Sequence, residues 1–143
     1  MARILCAIRG GPDSEPTIAY AVSLAEEQRA RLTFLYVVSL ELFHSSSKAR
    51  SESVAKELSR MGEFILLMAQ AKAARVGVAA DMFVRHGNIP EQILAACEEM
   101  SAEIVIMGKS RDGNKENFFG RAAQEDFIKR IKFEYGVKVI LRD

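Results

Sequence analysis

The 143 residues suffice for one domain with a core on both sides of a sheet. A content of 27% charged and 49% apolar residues excludes disordered and fibrous classes, and a net charge of +1 gives no reason to expect general binding to nucleic acid or a membrane surface. No stretch is apolar for long enough to span a bilayer, and the opening apolar run is too short for a signal peptide, so a cytoplasmic location is expected.

Residues 3–8 read as a short apolar strand, closed by Arg9-Gly10-Gly11-Pro12-Asp13, a turn of residues that tolerate unusual backbone angles. Ser14 can cap the helix that follows, Pro16 suits its first turn, and Ile18, Ala21, Val22, Leu24 and Ala25 share a face. Residues 32–38 are rich in β-formers and almost wholly apolar, as a strand covered on both faces should be. Residues 39–50, with three consecutive serines, read as a mobile connection that could form a lid. A long helix is expected from Ser51, with Val54, Leu58, Met61, Ile65, Met68, Ala69 and Lys72 on its buried stripe and the methionines as core filler. Alternation over 76–84 predicts an outer strand. Residues 85–90 form a turn, and Pro90 opens a helix that turns Ile93, Leu94, Ala96 and Cys97 inward.

The chain is organised around residues 102–122. The apolar run from Ile104 to Met107 stops at Gly108, a polar loop follows, and helical spacing resumes at Gly120 and runs from about 121 to 135. Gly136 ends that helix, and 137–141 make a last strand. Strand and helix alternate throughout, which predicts an open five-stranded parallel α/β sheet with helices on both faces. The loop after Gly108 then lies at the carboxyl end of a strand, where helix N-termini favour anions.

Gly108-Lys109-Ser110 imitates the end of a phosphate-binding P-loop, but the required glycine five residues earlier is Glu103. The wider loop has a better claim to an anion. Gly108, Gly113 and Gly120 permit close backbone approach, while Lys109, Arg111, Lys115 and Arg121 supply positive charge. A solvated loop is the competing reading. His44 and His86 lack partners at metal-ligand spacing, Ser110 lacks an evident base, and Cys6 and Cys97 read as buried, inert thiols.

The chain resembles the universal stress protein family over nearly its whole length. The resemblance rests on Ile4-Leu5-Cys6-Ala7-Ile8 with the turn at 11–14, on Leu35-Tyr36-Val37-Val38, on residues 86–93 and on residues 102–108. It implies a Rossmann-like, HUP-type sheet of order 3-2-1-4-5 in one domain over 1–143, a cytoplasmic stress-response role, and a homodimer through the last strand at Val137, Val139 and Leu141. Such an edge, guarded mainly by Lys138 and Arg142, gains from pairing with its twin.

ATP-binding relatives resemble one another in a loop of glycine, two residues, glycine, nine residues, glycine, then serine or threonine. Here Gly108 matches, Arg111 stands at the second glycine, and Gly120-Arg121 comes one residue early. Arg9 stands where those relatives end the first strand with an aspartate. A non-enzymatic dimer without ATP in the family mode, and with no cofactor, metal, nucleic-acid or membrane partner, is therefore expected. It would act through a protein partner or another anion, with Arg9, Gly10, Val38, Gly108, Ser110, Arg111, Gly113, Gly120 and Arg121 as candidate ligand-binding residues. The alternatives are an ATP- or AMP-binding switch or weak ATPase, in which Gly113 replaces the missing glycine, and a purely structural dimer.

Overall fold

The structure is a computed structural model and describes residues 2–9, 14–39, 48–109 and 121–142. Five strands, β1 (Arg3–Ile8), β2 (Arg31–Val38), β3 (Ala80–His86), β4 (Ile104–Gly108) and β5 (Lys138–Arg142), alternate with four helices, α1 (Ser14–Gln28), α2 (Lys48–Arg75), α3 (Ile89–Met100) and α4 (Arg121–Tyr135). All strand pairs are parallel and the order is β3-β2-β1-β4-β5, as expected.

The strand sequences explain the two-sided core. Successive side chains alternate between faces, so Ile4, Cys6, Ile8, Phe34, Tyr36 and Ile106 join α1 and α2, while Leu5, Leu35, Val105 and Met107 join α3 and α4. Each fully buried aliphatic or aromatic side chain contributes about 1.5–3 kcal/mol relative to exposure. On α3, Ile93, Leu94, Ala96 and Cys97 are buried as predicted, and Asn88 Oδ1 accepts the Glu91 N–H at the helix start.

Every helix stops on one left-handed residue and turns at once into the next strand. Arg29, Gly77, Ser101 and Gly136 have φ of 52°, 79°, 53° and 65°. After α2 the N–H groups of Gly77 and Val78 donate to Ala74 O and Ala73 O at 3.0 and 2.9 Å, and the same pair of bonds closes α1 and α3. This stop corrects the predicted third strand. Residues 76–79 are engaged in ending α2, so pairing with β2 begins at Ala80 opposite Leu32. It also corrects the last strand: Val137 is the buried residue after Gly136, and β5 begins at Lys138.

Two further expectations change at α2. It begins at Lys48, so residues 48–50 are helical, and residues 40–47 lie outside the described residues. Of the expected stripe, Ala69 is buried and Leu58 and Ile65 pack against the core, but the fully buried line is Gly62, Leu66, Ala69 and Ala73, rotated away from the methionines. Small residues win because the helix lies close to β2: a Cβ on Gly62 would sit 2.5 Å from Tyr36 Cδ1. Met61 and Met68 are consequently half exposed, together with Phe64 and Leu67.

Candidate functional site

Strand order reverses direction between β1 and β4, and their carboxyl ends diverge there into separate connections, the usual place for a ligand in an open parallel sheet. Ile4 to Ala7 pair with Ile104 to Met107, which brings the Arg9 side chain beside the end of β4. Its Nη2 donates to Gly108 O at 3.2 Å and to Lys109 O at 3.0 Å. A permanently charged guanidinium thus spans the switch point from strand tip to strand tip.

Gly108 is held from three sides. Its carbonyl also accepts from Gln124 Nε2 of α4 at 2.9 Å, the same amide lies 3.3 Å from Met107 Sδ, and the next N–H, of Lys109, donates to Arg142 O at 2.9 Å. Gln124 is buried to 4% exposure, so its amide is matched to these acceptors. On the α1 side a Cβ added to Gly108 would meet Thr17 Oγ1 at 3.5 Å. Thr17 Oγ1 is itself buried, and among the described residues it has no hydrogen-bond partner; Ser39 Oγ, just past β2, is in the same condition.

The remaining candidates are dispersed. Val38 is a core side chain, and its carbonyl accepts the Gly87 N–H at 3.0 Å. Arg121 opens α4, is exposed, and pairs along its own helix with Glu125 at 3.7 Å. Gly10, Ser110, Arg111, Gly113 and Gly120 lie outside the described residues. At the β3 tip, His86 Nε2 is 2.7 Å from Ser59 Oγ of α2, an exposed pair that ties the two elements together. Arg85 reaches Glu99 of α3 on the other face. Sequence reasoning missed Gln124 and Thr17, because a lone amide or hydroxyl in an amphipathic helix carries no signal until the neighbouring strand tip is placed.

Burial pushes both thiols up, Cys97 to about 12 with the neighbouring Glu98 adding to the effect, so neither supplies a nucleophile. Among the described residues no three His, Cys, Asp or Glu side chains gather to hold a metal, and no helix is long and apolar enough to cross a membrane.

The sequence profile of the Universal stress protein family matches residues 1–125. The chain belongs to that family. Among universal stress proteins, YxiE of Bacillus subtilis is 28% identical over 132 residues, 86% of this chain and 89% of its own length. UspA of Lactobacillus plantarum superposes with a TM-score of 0.80 at 14% identity, over 99% of this chain and 97% of that one. The Archaeoglobus fulgidus universal stress protein in complex with dAMP superposes at 0.61, also 14% identical, over 99% and 97%. At such identities these structures bear on the fold alone.

Proposed function

We propose that this universal stress protein is a non-enzymatic stress-response dimer that does not hold ATP in the manner of its ATP-binding relatives. The supporting observation is Arg9 lying across the β1–β4 switch point with both main-chain carbonyls of the β4 tip as acceptors. A nucleoside approaching there meets a fixed cation where a carboxylate would accept its hydroxyl or amino protons. Binding would require those two bonds to break, and charge-assisted bonds of this kind contribute roughly 1.5–3 kcal/mol each when shielded, less at this exposed rim. An anion without a purine is the better fit. Arg9 and Lys109 bring charge to the strand tips, and Gly10, Gly108, Ser110, Arg111, Gly113, Gly120 and Arg121 are the further residues we propose for it on the sequence alone.

The dimer reading rests on β5. It is an edge strand, and Val139 and Leu141 pack against the α3 and α4 side of the core while Ile140 packs against the other. Its outer edge therefore offers a twin main-chain donors and acceptors. Phe133 and Tyr135, near the end of the adjoining α4, are 85% and 40% exposed and extend that surface with aromatic area.

Freshly purified protein, denatured and assayed for released nucleotide, tests the first part. The expected result is no adenine nucleotide, and a yield near one per chain refutes it. One observation favours a second reading, a nucleotide-binding switch: Thr17 Oγ1, buried against Gly108 without a partner, is an unsatisfied hydroxyl that a phosphate or ribose oxygen reaches only when the β4 tip opens. On that reading Thr17→Val lowers nucleotide affinity, and the dAMP complex of the Archaeoglobus relative is the precedent.

A further inference from the structure

The helix α2 carries a second stripe that its own subunit leaves uncovered. Met61, Phe64, Leu67 and Met68 are 54%, 62%, 52% and 48% exposed, although each is large and apolar. The buried stripe lies elsewhere on the helix, at Gly62, Leu66, Ala69 and Ala73. The exposed positions are ordered. Glu57, Met61, Phe64, Met68, Ala71 and Arg75 follow one another at intervals of four and three, the 3.5-residue period of a helix that packs along a second helix.

The charges at the two ends of this series identify the occupant. We propose that a second copy of this chain packs its α2 antiparallel on this stripe, about a two-fold axis near Leu66 and Leu67. Antiparallel pairing about that point sets Phe64 opposite Met68, Met61 opposite Ala71 and Glu57 opposite Arg75, each match occurring twice. Every layer is then apolar on apolar or acid on base, as a self-complementary face requires. The axis falls level with residue 66, so Leu67, beside the stripe, comes within about 3 Å along the helix of Leu67 of the second copy. The contact runs for about 27 Å of helix at 1.5 Å per residue.

The rest of the helix surface agrees with this choice. Lys72 is already committed to Glu15 of α1, so it is not left opposing a like charge. Leu58 and Ile65 are turned against the subunit's own core, which leaves the other flank, with Arg60 and Glu63, at the polar rim. Because α2 packs on β2 and β3, this face lies at the opposite end of the sheet from β5. The inference is therefore independent of the β5 dimer. Should both contacts form, two distinct two-fold interfaces build a closed tetramer or an open chain.

Cross-linking tests the contact directly, because Cys6 and Cys97 are buried and only an introduced thiol is reactive. Under mild oxidation Leu67→Cys is expected to give a covalent two-chain species on a non-reducing gel. Lys56→Cys, also exposed on α2 but about 30 Å from its equivalent in the proposed pairing, is expected to give none. Adding Phe64→Asp to Leu67→Cys should abolish the cross-link, with circular dichroism confirming that the subunit remains folded.

In sedimentation, Glu57→Arg alone and Arg75→Glu alone should each weaken association roughly tenfold, and the two together should restore it. Equal cross-linking at positions 56 and 67, or a sedimenting mass unchanged by Phe64→Asp at every concentration, overturns the proposal. A double charge exchange that fails to restore association overturns the antiparallel register. None of these outcomes depends on whether the site at Arg9 binds a ligand.

Discussion

Replacing Gly62 by alanine opposes two effects whose sizes can be compared. In an ordinary helix interior the change stabilises by about 1 kcal/mol, because glycine gives up more backbone freedom on folding. Here the new methyl carbon would lie 2.5 Å from Tyr36 Cδ1, 3.0 Å from Cε1 and 3.0 Å from Cγ. The obstacle is the base and flank of a ring on a central strand, 8% exposed, not the end of a flexible chain. Relief requires α2 to lift from β2 or Tyr36 to leave its rotamer, an overpacking cost of about 1–3 kcal/mol on the scale of inserted methylenes, with this contact at the upper end. The net expectation is a loss of about 1–2 kcal/mol, or roughly 3–6 °C in Tm for a domain of this size. Urea unfolding of the four members of the Gly62→Ala, Tyr36→Leu cycle measures it. In the Tyr36→Leu background the alanine should become neutral or stabilising, with a coupling of about 1 kcal/mol or more. A Gly62→Ala protein at least as stable as the parent, with Tyr36 intact, refutes the account of why α2 lies so close to the sheet.

Replacing Gln124 by leucine should cost about 1–3 kcal/mol and loosen the join of α4 to β4, seen as faster amide exchange at the start of α4, because Gly108 O and Met107 lose their buried donor. Ser101→Gly should stabilise by about 1 kcal/mol, since Ser101 holds φ 53° at the end of α3 and glycine adopts that angle without strain; equilibrium unfolding reads it. Both native thiols should resist a chromogenic disulfide reagent until the protein is unfolded. Their pKa values are raised by folding, so the unfolded chain binds fewer protons above the ordinary thiol value of 9.0, and stability falls from there upward. By pH 10 the loss is about 1.4 kcal/mol per thiol, while between pH 6 and 8 these groups contribute no slope.

The sheet was readable because its strands announce themselves. Residues 104–107 and 32–38 are apolar on both faces, which only a covered parallel strand requires, and Gly136 and Pro90 mark helix boundaries by geometry. On α2 the sequence points correctly to Leu58, Ile65 and Ala69 but not to the fate of the methionines, because hydrophobicity does not measure depth. Gly62, Ala69 and Ala73 are weakly apolar but small, and closeness to Tyr36 selected size over hydrophobicity, leaving the methionines outside. Residues 76–79 alternate like a strand, yet three hydrogen bonds back into α2, from the N–H groups of Val76, Gly77 and Val78, claim them first. At the candidate site the sequence identified Arg9 from its type and position alone. It could not supply Gly108 O and Lys109 O as acceptors, since these are main-chain atoms about a hundred residues away along the chain whose availability depends on where β4 ends.

The uniform way in which the four helices finish divides the molecule's tolerance of change. Arg29, Gly77, Ser101 and Gly136 all stand on one rim of the sheet, each only a few residues from the strand it feeds. One residue inserted there would slip the following strand by a position and turn its core side chains toward the opposite layer. At the other rim, where Arg9 and Gly108 stand, added residues would lengthen a connection without shifting any register. New ligand chemistry can therefore be written at that rim alone, while the opposite one keeps the sheet in step.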